Sequence, residues 1–404
     1  MKFTFLDGAT GTNLMKAGMP RGVCVEKWVI ENPNVIIDLQ KEYVAGGSDI
    51  IYAPTFGANP VALGKYSLEE KTEEMNKALV ELSKAAAEGK AKVAGDISST
   101  GLLMAPMGEA TYEEIKQAYM RQAKALDEAG VDVFVLETFS SLAECLAAID
   151  GVKAVSNKEI MVSVTVESSG KTLCGDSPES CLVALTARGA CAFGVNCSSG
   201  VESMAKIIGK LYEISSVPLI SKPNAGLPVL VNGENVFPES AESFAEKYEE
   251  LINAGASFVG GCCGTTPSHI KALKEKLSNR EPKEVLKQGV YASSNKDVFL
   301  LDSISSVTER TPCDEDMLFS IPEKDEAEFF RLYVEKEEDL ENFIEGMSSI
   351  ETPLILGAST PKIFEKAVAL YAGRCIYDEE CGFDNEILME LKKKYGFIVP
   401  SCDL

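Results

Sequence analysis

The chain has one histidine, His269, and one tryptophan among its 404 residues. A single imidazole argues against reactions built on paired histidines and against His-rich metal sites, and any Ser-His-Asp triad would have to use His269. Basic side chains are also scarce: 39 Lys and Arg against 62 Asp and Glu give a formal charge of −23. That balance disfavours a nucleic-acid groove or an anionic membrane surface as a partner and points to small-molecule chemistry. No apolar run approaches the roughly 20 residues that span a bilayer, and residues 1–6 lack the apolar stretch of a signal peptide, so a cytoplasmic protein is expected. In that compartment the twelve cysteines read as free thiols, metal ligands or redox groups rather than as a disulfide scaffold.

Two regions differ in charge. Residues 301–404 hold 24 acidic and 10 basic side chains, a net of −14, which leaves −9 for the first 300. The polar string Ser278-Asn279-Arg280-Glu281-Pro282-Lys283 interrupts a helical pattern, and a boundary is placed there. The expectation is a large domain over 1–282 and a small acidic α/β domain over 283–404.

In the first region eight short apolar runs alternate with stretches of helical period. The runs are Phe3–Leu6, Asp49–Tyr52, Lys92–Ala94, Val133–Leu136, Ile160–Val164, Ala192–Val195, Leu219–Ile220 and Phe258–Val259. Eight βα pairs predict a (β/α)8 TIM barrel, with a doubly wound sheet as the alternative. Glycines at 47, 130, 189 and 255, each where a helix would end before a strand, favour the barrel.

Chemistry in such barrels sits at the carboxyl ends of the strands. Read as a ring, those ends supply Asp7-Gly8 after the first strand, Asp96 after the third, Glu137 after the fourth, Asn196-Cys197-Ser198-Ser199 after the sixth, Lys222-Pro223-Asn224 after the seventh and Gly260-Gly261-Cys262-Cys263-Gly264 after the eighth. Cys197, Cys262 and Cys263 thus converge on one mouth. Three thiols with an open fourth position resemble a catalytic zinc site, the alternative being three small buried side chains. Three thiolates would make zinc too electron-rich to activate water well and suited to holding a further thiolate, which favours alkyl transfer to sulfur. Asp7 and Glu137 can take the ammonium of an amino acid, and the backbone around Gly8 its carboxylate.

Taken together, Asp7-Gly8-Ala9-Thr10-Gly11-Thr12, Pro54-Thr55-Phe56-Gly57, Glu137-Thr138, Asn196-Cys197, Lys222-Pro223-Asn224 and Gly260-Gly261-Cys262-Cys263-Gly264 resemble the zinc-dependent homocysteine S-methyltransferase family. The likeness covers about residues 1–280 and is closest to the homocysteine-binding first module of cobalamin-dependent methionine synthases. The resemblance implies one zinc per chain on Cys197, Cys262 and Cys263, and homocysteine held by Asp7, Gly8 and Glu137 and methylated at sulfur. Asn224 is added at the substrate end, as a fourth zinc ligand while substrate is away. No Asp-x-His motif of a cobalamin module is present, and because the likeness is closest to the first module of the cobalamin-dependent enzymes, methylcobalamin on a separate corrinoid protein is the favoured donor. S-methylmethionine, betaine and a methylfolate, or another small thiol as acceptor, are the other readings. Ser306-Val307-Thr308-Glu309-Arg310-Thr311 and Pro353–Thr360 are similar to pieces of a folate barrel, yet the tail is too short to close eight βα units. It is read as a relic of one, or as a docking module for a methyl-carrying partner.

Overall fold

The computed structural model describes residues 2–403 apart from 199, 232–233, 287–288, 302–303, 305 and 324–325. Ser199, read above as following the sixth strand, lies outside the described residues.

Each of the eight runs is a strand. They are β1 Thr4–Phe5, β2 Ile50–Tyr52, β3 Lys92–Ile97, β4 Val133–Phe139, β5 Ile160–Val164, β6 Ala192–Cys197, β7 Leu219–Pro223 and, beyond a hairpin of β8 Val229–Val231 and β9 Glu234–Val236, β10 Ala256–Val259. The eight form one parallel sheet in the order β1-β10-β7-β6-β5-β4-β3-β2, the cyclic order of a (β/α)8 barrel rather than the reversed order of a doubly wound sheet. The circle closes between β1 and β2 through Asp49, whose N–H donates to Phe5 O at 2.7 Å while its carboxylate accepts from Phe5 N at 2.8 Å.

Strands buried on both faces are apolar along their length and alternate between two cores. Leu6, Ile50, Tyr52, Ala94, Val133, Val135, Met161, Ala192 and Ile220 pack together inside the barrel. Their neighbours, Phe134, Leu136, Val162, Phe193 and Val195 among them, pack outward against the helices. Helix boundaries follow local chemistry. Thr111 and Glu114 form a reciprocal capping box that starts Tyr112–Glu128, worth about 1 kcal/mol. Gly255 ends Glu249–Ala254 at φ +118° with a Cβ position only 2.4 Å from the Tyr212 ring, so neither the dihedral nor the space admits another residue.

Past residue 290, a hairpin of β11 Tyr291–Ser293 and β12 Val298–Leu300 precedes a second parallel sheet. Its strands are β13 Thr311–Pro312, β14 Phe330–Val334, β15 Leu354–Ala358 and β16 Ile376–Tyr377, paired in chain order. Sequential parallel order over four strands is half the circuit of a barrel. The helices Pro361–Leu370 and Asn385–Tyr395 join Phe330, Leu332, Leu356, Phe364 and Tyr377 in a core of their own.

This half-circuit lies against the barrel helices Leu142–Lys153 and Pro178–Arg188. Arg188 is fully buried there. It pairs with Asp150 at 2.9 Å, donates to Val368 O at 3.3 Å and lies 5.0 Å from the centre of the Tyr395 ring. Tyr112 Oη donates to the same Asp150 at 2.5 Å.

Candidate active site at the barrel mouth

Cys197 ends β6, and Cys262-Cys263 follow β10 after two glycines. A Cβ on Gly260 would stand 2.8 Å from Asp7 O, and one on Gly261 2.5 Å from the Thr265 side chain. Only bare backbone fits between the two loops. The pair is then fixed on its other side by the end of β7: Cys262 N donates to Pro223 O at 2.8 Å and Ala225 N to Cys263 O at 2.9 Å. As a result the three sulfurs lie within 4.8 Å of one another, with Cys197 and Cys263 Sγ 3.8 Å apart.

The third cysteine sits on strained backbone. Cys197, Ser198 and Thr138 have φ of +60°, +56° and +64°, a region that costs a non-glycine residue about 1–3 kcal/mol. Hydrogen bonds offset it. Asn196 Oδ1 accepts from Thr138 N at 2.9 Å and Ser163 Oγ at 2.8 Å, its Nδ2 donates to Thr138 Oγ1 at 2.7 Å, and Ser198 Oγ accepts from Val166 N at 2.7 Å. The same Nδ2 lies 3.9 Å from Cys262 Sγ, so Asn196 orients both the carboxylate-bearing strand end and a sulfur. Hydrogen bonds from Cys262 and then Cys263 pull the Cys197 thiol down to about 3. The same sharing raises Cys262 to about 11 and Cys263 further.

A cavity of about 320 Å³ opens beside the sulfurs, lined by Asp7, Gly8, Tyr52, Asp96, Glu137 and Lys222 among others. Asp7, Gly8 and Glu137 are therefore brought together with the cysteines as the sequence reading expects. Lys222 is the residue that reading missed. Its buried Nζ stands 3.2 Å from both Asp7 Oδ1 and Glu137 Oε2, and 3.6 Å over the Tyr52 ring. Asp7 Oδ2 accepts from Tyr52 N at 2.8 Å, which leaves each oxygen of Asp7 with a partner. An ammonium already belongs to the carboxylate pair. Burial, only partly opposed by Lys222, raises Asp7 and takes Glu137 to about 7. Lys222 is itself held well above its ordinary value: burial works against its charge, and the combined attraction of Glu137, Tyr52 and Asp7 outweighs it. The signal available in the sequence was a lysine inside the apolar run Leu219–Pro223.

Two expectations look different in place. Ala9 N, one of the donors read as open to a carboxylate, donates to Thr265 Oγ1 at 3.1 Å. Asn224 is buried with an unpartnered Oδ1 but is not part of the cavity lining. His269 is structural: Nδ1 accepts from Thr266 N at 3.2 Å at the start of the helix Pro267–Leu277, and Nε2 faces Glu239 O at 3.1 Å. Burial lowers its pKa and keeps the ring neutral. No helix among the described residues is long and apolar enough to cross a membrane.

The methionine synthase of Mycobacterium leprae (strain TN) is 30% identical over 285 residues, which are 66% of this chain and 24% of that protein. That of Mycobacterium tuberculosis (strain ATCC 25618 / H37Rv) is 29% identical over 291 residues, 68% and 24% of the two. The chain thus spans about a quarter of the length of these relatives. Oxidized and metallated forms of the Escherichia coli homocysteine methyltransferase MmuM share the fold. Both give a TM-score of 0.58, at 24% and 23% identity, and each match covers 68% of this chain and 96% of MmuM. The family model described as homocysteine S-methyltransferase matches residues 4–277, all eight strands of the barrel and well over half of the chain, and on that match the chain belongs to the homocysteine S-methyltransferase family.

Proposed function

We propose that the chain moves a methyl group to the sulfur of homocysteine, giving methionine, with one zinc ion on Cys197, Cys262 and Cys263. The observation that carries this is the meeting of three thiols at the edge of a cavity with charged groups at its floor, in a member of this family. The fit of the metal rests on distance. Tetrahedral Zn–S bonds of about 2.3 Å put neighbouring sulfurs about 3.8 Å apart, and Cys197 and Cys263 stand at 3.8 Å. When bound, zinc in a three-thiolate set lowers the pKa of a further thiol while leaving its sulfur nucleophilic.

The balance is simple. The substrate thiol loses its proton to solvent, its sulfur forms the new bond to carbon, and the donor leaves with the electron pair of the bond it breaks. The protein's own groups position the substrate. Glu137 and the backbone at Gly8 hold its amino-acid end, and Asp7 acts through Lys222, which it fixes. Asn224, with its unpartnered Oδ1, is assigned to the fourth metal position before substrate arrives.

For the donor we favour methylcobalamin carried by a separate corrinoid protein. What supports it is a rim of exposed apolar side chains on the loops around the mouth, including Phe56, Leu103, Met107, Leu173 and Leu230, which suits a macromolecular partner. We read residues 283–404 as a separate unit, a remnant of a folate-type barrel, on the strength of its sequential parallel strands. Twelve unpaired cysteines support a cytoplasmic location.

The test is direct. The purified protein should carry about one zinc, and Cys262→Ser or Cys263→Ser should lose most of it by elemental analysis. Loaded protein given homocysteine and, separately, methylcobalamin, S-methylmethionine, betaine and a methylfolate should form methionine with at least one donor. Full zinc retention in both variants, or no methionine from any donor, overturns the reading.

A further inference from the structure

Four buried carboxylates line the cavity, Asp7, Glu26, Asp96 and Glu137, against the single ammonium of Lys222. Glu26 has its own donors, Gly57 N at 2.9 Å and Cys24 Sγ at 3.4 Å. Lys222 spends its contacts on Asp7 and Glu137, at 3.2 Å each. Asp96 is left over. It lies near the end of β3 with its backbone locked, N–H donating to Thr55 Oγ1 at 3.1 Å and C=O accepting from Thr55 Oγ1 at 2.7 Å. Strand pairing with Val135 of β4 also fixes its orientation. Its Oδ1 is fully buried with no hydrogen-bond partner, and Tyr52 Oη, another residue of the same lining, is in the same condition.

A buried acceptor without a donor costs about 1–3 kcal/mol, and packing alone gives no reason to keep a carboxylate there. Burial and the repulsion of Glu137 push the Asp96 carboxyl well above its ordinary value, and the attraction of Lys222 offsets this only in part. A second positive charge would bring the charged lining nearer to balance. We propose that Asp96 accepts the primary ammonium of the substrate together with Glu137, and is a residue by which this site selects an amino-acid thiol over a thiol without an amino group.

The proposal rests on the reading that an amino thiol enters this cavity, and the test separates the two. Zinc-loaded protein is titrated calorimetrically with homocysteine and with 4-sulfanylbutanoate, the same molecule without its amino group. The wild type should prefer homocysteine by about 100-fold. Asp96→Asn should lose at least about tenfold of that preference, the worth of a charge-assisted hydrogen bond. Its affinity for 4-sulfanylbutanoate should stay within about threefold of wild type, which also verifies fold and metal content. Asp96→Ser should show the same selective loss. Retention of the full preference by both variants, or a wild type that does not distinguish the two thiols, overturns the proposal. A wild type that prefers cysteine or cysteamine to homocysteine, and loses its preference for the amino form in Asp96→Asn, upholds the role of Asp96 and overturns homocysteine as the substrate.

Discussion

Two buried charge clusters stand in this molecule, and they are built to opposite ends. At the join between the barrel and the half-circuit, Arg188 meets one carboxylate, Asp150, with side chains 1% and 5% exposed. Tyr112 also donates to Asp150, and Arg188 donates to Val368 O and lies over Tyr395, with only its Nε left without a partner among the described residues. Charge is matched. At the barrel mouth one lysine meets two carboxylates, Asp7 and Glu137, beside a cavity that Asp96 and Glu26 also line, and carboxylates outnumber ammonium groups. A balanced cluster holds two pieces of structure together, whereas an unbalanced one beside a void is a site that a cation completes.

Breaking the balanced cluster should have the largest effect on stability. Arg188→Met leaves Asp150 buried without its counter-charge, and a loss of about 3–5 kcal/mol is expected in urea unfolding, with metal content unchanged. Arg188→Met combined with Asp150→Leu should recover much of it, because a buried pair is worth far less than the penalty of orphaning one partner.

The unbalanced cluster should respond in binding instead. Glu137→Gln should weaken homocysteine binding by about 1.5–3 kcal/mol with zinc retained, and turnover at saturating homocysteine should fall less than affinity. Loss of the chemical step with normal binding would make Glu137 an acid or base instead. The same variant has a pH signature in the metal-free protein. Because the folded pKa of Glu137 is raised to about 7 from 4.5, the folded state holds a proton that the unfolded chain releases. The contribution of this group to stability is therefore full below about 4.5 and is lost as pH rises through 7. Glu137→Gln should flatten that decline, measured as the denaturation midpoint against pH.

The smallest effect belongs to the lone histidine. His269→Ala removes a cap and its contact to Glu239 O and should cost about 1 kcal/mol. Activity should persist, which would confirm that the mouth uses no imidazole.

The sequence was most readable where one physical cause acts alone. All eight barrel strands are legible because strands buried on two faces must be apolar throughout, and the three cysteines because they fall just past such runs. Lys222 was not legible as a partner of Asp7 and Glu137, since those contacts join residues 215 and 85 positions apart and depend on how the strands close. The hairpin β8–β9 was passed over although Asn232-Gly233 between short apolar runs is a turn signal. Its exposed Val229 and Leu230 do not join any core. The helical period over residues 241–254 is continuous in the sequence, yet the chain divides there at Tyr248 into Ala241–Lys247 and Glu249–Ala254, and the Tyr248 hydroxyl lies between Ser221 O, at 2.5 Å, and Gly260 N, at 3.0 Å. A tyrosine at that position serves β7 and the glycine loop, a demand that helical period does not reveal.

The seam between β1 and β2 gives the barrel an uneven compliance. Seven neighbouring strand pairs share ladders of two to five paired residues, while this one has no ladder and is closed by Asp49, whose carboxylate stands in for a missing carbonyl, with side-chain bonds from Ser48 to Leu6 O and from Tyr52 N to Asp7. A hoop fastened so lightly at one point yields there first. The segment that begins at that point is Asp7-Gly8-Ala9, one wall of the cavity. Yielding at the seam would be felt first on the β2 side of the pocket, because β1 and the Asp7 segment stay laced to β10 and the loop that carries Cys262 and Cys263, with Gly261 N donating to Asp7 O at 3.1 Å.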